Sequence, residues 1–305
     1  ALEDYEDGAG NGHNTAVGAS SQLNATTGEF NTSLGSLSMG LGVATGDYNV
    51  ALGYKALEDA TSGNTNIAVG PLSMANVLTG ASNIAIGYNT MGAANGSESR
   101  NIAIGHSALA SLNVDQETYN VAIGFESGKL ITTATRNTII GGSAGDAMTT
   151  GGNNVAVGYT ALGSQTIANT NVAIGDSAMA TNVAADRNVA VGHESLFNMT
   201  AANTADHYNV AVGYQAGRAV SSGVNNTILG ALAGAALQDD GNNVMIGMAA
   251  GRAAVASDIV AVGFNAMEVA TTAVRCTAVG PSVMGDGIVT GADNTAIGSK
   301  SQLNV

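Results

Sequence analysis

The chain has no tryptophan, one cysteine, two prolines, four phenylalanines and eight tyrosines in 305 residues. A lone thiol, Cys276, can close no internal disulfide and build no cysteine metal centre. Basic residues are scarce, 9 against 23 acidic ones, for a net charge of −14. Nucleic acid and anionic membrane surfaces both select clustered Lys and Arg, so neither is expected as a partner. No run of 18 apolar residues occurs, so no membrane insertion is expected either. Bulky apolar residues are thin as well. Leu, Ile, Val and Phe total 65, close to the level at which chains stay disordered. The chain begins at Ala1 without Met or a signal-like segment, so a processed product is expected.

What the chain does have is 42 glycines and 53 alanines, and they are ordered. Asn154-Val-Ala-Val-Gly158, Asn171-Val-Ala-Ile-Gly175 and Asn188-Val-Ala-Val-Gly192 lie 17 residues apart. Seventeen such phrases run from Gly18 to Gly298, at spacings of 16 to 21 residues. The position before the glycine is always Val, Ile or Leu, and the position three before is always Val, Ile or Thr. Residues two apart on a strand share a face. The position between them is Ala in 13 of 17 copies, which predicts a flat opposite face. Three and four after the glycine come a small residue and then mostly Leu, Met or Gly, read as a second short strand closing a thin core against the Val/Ile pair. The flat alanine face is then free for another backbone layer, within the coil or from a neighbouring chain.

Units this short cannot bury an apolar face alone and must stack. The expected fold is therefore all-β: a β-solenoid, or parallel β-roll, of about 17 coils with two short strands each. Residues 1–13 form an acidic tail, and 14–305 one continuous solenoid. At the usual strand spacing its length is roughly 80 Å. Glycine supplies corners that need positive φ. Asn occupies the position four before the glycine in 15 of 17 copies, with Ile259 and Cys276 as exceptions. Asn, which suits turns, is expected to stack once per coil as a ladder. Asn154, Asn171 and Asn188, with Gly158, Gly175 and Gly192, stand for that structural turn ladder.

Asn209-Val-Ala-Val-Gly-Tyr-Gln-Ala-Gly217 and Asn49-Val-Ala-Leu-Gly-Tyr-Lys-Ala-Leu57 resemble the repeats of bacteriophage tail fibres. The five-residue phrase is also similar to the head repeat of YadA-like trimeric autotransporter adhesins, whose period is shorter. The resemblance covers residues 14–302. It implies a parallel β-roll in which three chains pack side by side as a homotrimer, located outside the cell on a virion fibre or cell surface. The first and last copies resemble each other most, since only they place Gln22 and Gln302 in the Leu/Met/Gly column. Terminal capping and a head-to-tail joint between molecules both explain that.

Enzymatic signatures are missing: no H-E-x-x-H, G-x-S-x-G or P-loop occurs. His106 and His193 share one column but lie five coils apart, about 25 Å, too far to share a metal. The Gly/Asp nonapeptide of calcium-binding β-rolls does not occur. No enzyme, metal or cofactor is expected. Six methionines four after the glycine read as core filling. The column just after the glycine holds Tyr54, Tyr88, Phe125, Tyr159, Tyr214 and Phe264, half of all aromatics. These either contact a host-surface glycan or protein, or pack over a neighbouring coil or chain. Four arginines sit five before the glycine and are expected to pair with loop carboxylates across coils. The expected function is a structural and adhesive fibre segment, a rigid rod presenting loops for attachment. Alternatives are the head of a bacterial trimeric adhesin and a secreted subunit polymerising head to tail.

Overall fold

The computed structural model describes residues 13–201, 205–271, 273–285 and 289–301. Most of the predicted tail, and Gln302, lie outside the described residues. Among these the fold is all-β and contains no helix. Two compact units divide the chain, residues 1–153 and 154–305. In the first, eight three-residue strands run from β1 (Thr15–Val17) to β8 (Thr138–Ile140). In the second, nine run from β9 (Val155–Val157) to β17 (Thr295–Ile297), including β10 (Val172–Ile174) and β11 (Val189–Val191). Consecutive strands within a unit pair in parallel and in register. Val172 faces Val189, Ala173 faces Ala190 and Ile174 faces Val191. The coil is therefore the repeating unit, and the sheet is made of equivalent residues from successive copies.

Each coil carries one strand rather than two. The run after the glycine, expected as a second strand, is a chain of turns. Residues two and four after the glycine have positive φ, as in Leu37 (60°) and Met39 (50°). Their amides still bond between coils, in opposite directions. Leu37 N–H donates to Ala19 O (3.0 Å), and Met39 N–H donates to Ala56 O (3.0 Å). Left-handed backbone is costly for a branched residue. Here it lets a tight bend keep its amides paired.

The interior is the reverse of the expected one. The central strand residue points inward, and Ala173 and Ala190 are completely buried. The flanking Val172, Ile174, Val189 and Val191 point outward and are half-buried or exposed. Alternation along a strand makes two faces but does not say which is inside. Volume decides it. The residues three and four after the glycine also turn inward, as with Ala178 and Met179, both fully buried. Between them and the strand there is room only for a methyl group in most coils.

The exceptions follow the same volume rule. Where the residue four after the glycine is itself glycine, the facing strand centre is large. Ile139 fills the space beside Gly128 and Gly145, Ile228 that beside Gly217 and Gly234, and Met245 that beside Gly234 and Gly251. A carbon added to Gly217 meets Ile228 Cδ1 at 2.9 Å. Ser33, the remaining exception, bonds Ser21 Oγ at 2.6 Å.

Two features lock the coils. The corner glycines have φ between +119° and +141°. At Gly175 an added Cβ lies 2.5 Å from the carbonyl oxygen of Gly192, so backbone shape and close approach both require glycine. Gly158 and Gly192 are held in the same way. Four residues earlier the buried asparagines form rungs. Asn171 N–H donates to Asn154 Oδ1 (2.9 Å), and Asn188 N–H donates to Asn171 Oδ1 (2.9 Å). Most Nδ2 groups reach a main-chain carbonyl, as Asn154 reaches Ala168 O (2.9 Å) and Asn171 reaches Ala185 O (2.9 Å). Each amide thus serves as acceptor and donor in a place where an unpaired backbone group would be expensive.

Candidate functional site

Because the alanines face inward, the outer surface of the sheet is made of the Val, Ile, Leu and Thr columns. No charged residue occupies either column in any copy. Ile67, Ile86, Ile140 and Ile174 are each 37–39% exposed, and Leu34 is 52% exposed. Isolated exposed apolar residues are ordinary on protein surfaces, but a contiguous column on successive strands is not.

Beside this face runs the column just after the glycine. Tyr54, Tyr88, Phe125, Tyr159, Tyr214 and Phe264 are all exposed there, between 48% and 62%. Both prolines of the chain, Pro71 and Pro281, occupy the same column. Its rings stack on one another along the coil axis. Tyr88, His106 and Phe125 form a three-ring pile with centroids 5.2 and 5.3 Å apart, and His193 stacks on Tyr214 at 5.5 Å. Lys55 places its ammonium 5.6 Å from the Tyr54 ring. In a pile the ring faces are covered by neighbouring rings, and ring edges remain for a partner. The six rings do not converge on one spot. They are distributed along both units.

A second aromatic column lies on the other flank of the strand, five residues before the glycine. His13, Phe30 and Tyr48 stack there with centroids 5.0 Å apart. Tyr119 and Tyr208 occupy the same column and join ion-pair clasps. Arg100 Nη1 bonds Glu117 Oε2 (2.6 Å) and also Tyr119, and Tyr119 OH donates to Glu117 Oε2 (2.5 Å). Arg187 bonds Asp206 and Tyr208 OH (3.0 Å), and Tyr208 OH donates to Asp206 Oδ2 (2.9 Å). Each clasp closes one of the two longest coils, 105–124 and 192–213. Arg275 pairs with both carboxylate oxygens of Asp293, without a tyrosine. This column was legible in the register: counting five back from each glycine gives Phe30, Tyr48, Tyr119 and Tyr208.

Carboxylates respond locally. The hydrogen bond from Arg218 holds the Glu194 carboxyl below the usual range, and Arg275 does the same for Asp293. Burial pushes Asp186 and Asp146 up. Among the described residues no group of three His, Cys, Asp or Glu side chains is placed to hold a metal ion, and no pocket opens. The chemistry available is thus that of an extended surface: apolar side chains, ring edges and paired charges. No family model matches the chain, and neither a curated protein nor a solved structure matches it.

Proposed function

We propose that the chain is a structural segment of an extracellular fibre whose coils associate side by side with copies of the same chain, as a parallel homotrimer. Its role in this reading is mechanical and adhesive, with no catalysis. The observation that carries it is the uncharged outward face of Val, Ile, Leu and Thr. A column of β-branched side chains at strand spacing is best matched by another column at the same spacing, and a second copy supplies one. Burying apolar area at about 25 cal/mol per Å² over many coils favours such pairing strongly. Sedimentation equilibrium tests it. A mass of three chains is expected, and a monomer at micromolar concentration overturns the reading.

Host attachment is the finer part of the proposal. It is supported by the exposed rings at Tyr54, Tyr159 and Phe264 and by the clasped long coils. A host-surface glycan or protein is the partner in that reading, with the phage tail-fibre arrangement preferred and a trimeric adhesin head as the alternative. A glycan and matrix-protein array tests it, with retention expected for the native chain and lost in Tyr159→Ala. Long filaments of the isolated chain in electron micrographs would instead support head-to-tail polymerisation.

A further inference from the structure

We propose that the coils C-terminal to Ile259 open as a separate cooperative unit, because the amide ladder that ties coil to coil is interrupted at Ile259 and Cys276. The inference does not depend on the proposed function.

In the second unit the rungs run without a gap from Asn154 through Asn243. Asn209, Asn226 and Asn243 each donate their N–H to the Oδ1 of the preceding asparagine, at 3.0–3.1 Å. Ile259 N–H still donates to Asn243 Oδ1 at 2.9 Å. Ile259 has no side-chain oxygen to offer the next coil, so the Cys276 N–H lacks the amide oxygen that the earlier rungs of this unit supply. Cys276 then occupies the asparagine slot. Its thiol donates to Gly291 O (3.3 Å), taking over the role of Nδ2. Its sulfur is a poor substitute for Oδ1, and Asn294 Nδ2 approaches it only to 3.9 Å. Two successive junctions, 259 to 276 and 276 to 294, therefore lack the rung that other junctions have.

The rest of these junctions is intact. Val260 N–H donates to Cys276 O (2.9 Å) and Thr277 N–H to Asn294 O (2.8 Å). Met267 and Met284 remain buried. The junctions are weakened rather than absent. In a stacked repeat, stability is roughly a sum of nearest-neighbour interface terms. A weak interface then sets the boundary of a unit that opens below the global transition. The exposed Arg275–Asp293 pair spans the outside of one junction and contributes little to holding it. In the first unit the rungs run without a gap from Asn14 to Asn137, each backbone N–H donating to the Oδ1 of the preceding asparagine, so its coils have no such boundary.

Native-state hydrogen exchange and thiol labelling test the device. The amides of Val260, Gly280 and Thr277, which bond across or beyond the 259–276 junction, are expected to share one protection level, below that of Val172, Val189 and Val210. The buried Cys276 thiol is expected to react with a maleimide faster than the protein unfolds globally. Ile259→Asn, which restores the missing oxygen, should slow that reaction about 3- to 10-fold, the range for one added hydrogen bond. Ile259→Val, which restores nothing, should leave it within about twofold. Uniform protection across the second unit overturns the proposal. So does thiol reactivity that tracks global unfolding, or Asn and Val variants that behave alike.

Discussion

Asn188 donates its backbone N–H to Oδ1 of Asn171 at 2.9 Å, and its side-chain Nδ2 reaches the same oxygen at 3.3 Å. One buried oxygen thus serves two donors of the next coil. Asn171→Ala should destabilise the protein by about 2–3 kcal/mol, since a buried N–H is left without its acceptor. Asn171→Asp keeps the oxygens but loses the donor to Ala185 and buries a charge, and should cost at least as much. Urea denaturation of the two variants checks both. Loss of less than about 0.5 kcal/mol in Asn171→Ala would mean the ladder is not a stability element.

The inward position of the alanines predicts intolerance to size. Ala190 lies at the strand centre of a coil whose interior already holds Leu196. Ala190→Ile should cost about 1–3 kcal/mol through overpacking. Ile228→Ala, at a coil where glycines leave space, should cost about 2–4 kcal/mol by opening a cavity. If the alanine column faced outward, Ala190→Ile would be nearly neutral in a thermal melt.

A charge on the outward face should act on assembly and not on the coil. Ile86 and Ile104 flank one another on adjacent strands, facing away from the core. The pair Ile86→Lys and Ile104→Lys is expected to shift sedimentation toward single chains while the β circular dichroism signal is kept. An unchanged mass would place the self-association surface elsewhere.

Gln22 is fully buried in the column that other coils fill with Leu, Met or Gly. Neither atom of its amide group has a hydrogen-bond partner among the described residues. Gln22→Leu should therefore stabilise the protein by about 1–2 kcal/mol. A drop in melting temperature would show that the amide is used.

Glu194 accepts from Arg218 (2.6 Å) and Gln215 (2.7 Å), and its pKa is lowered chiefly by the arginine. A carboxyl with a depressed folded-state pKa contributes stability above its unfolded value. That contribution is lost as pH falls through the folded value. Glu194→Gln should therefore weaken the protein slightly, by about 0.5 kcal/mol or less, at pH 7. The difference from wild type should vanish under acid conditions. A difference that persists or grows on acidification would contradict the assigned ion pair.

The sequence by itself determined the period, the corners and the kind of fold. Gly175 and its equivalents mark where positive φ and a neighbouring carbonyl leave no room for Cβ, and Asn171 and its equivalents mark the buried turn beside them. Such local requirements act on single residue types, so they are written in single columns. The exchange of Ala for Ile139, Ile228 and Met245 beside Gly128, Gly145, Gly217, Gly234 and Gly251 is also legible in the sequence, as two columns that vary together. The tertiary structure alone decided which face is inside. Val172 and Ile174 alternate with Ala173 whichever way the strand is turned. Only the converging turn residues, Ala178 and Met179 among them, fill the interior and leave space for no more than a methyl group, which sends the larger side chains outward.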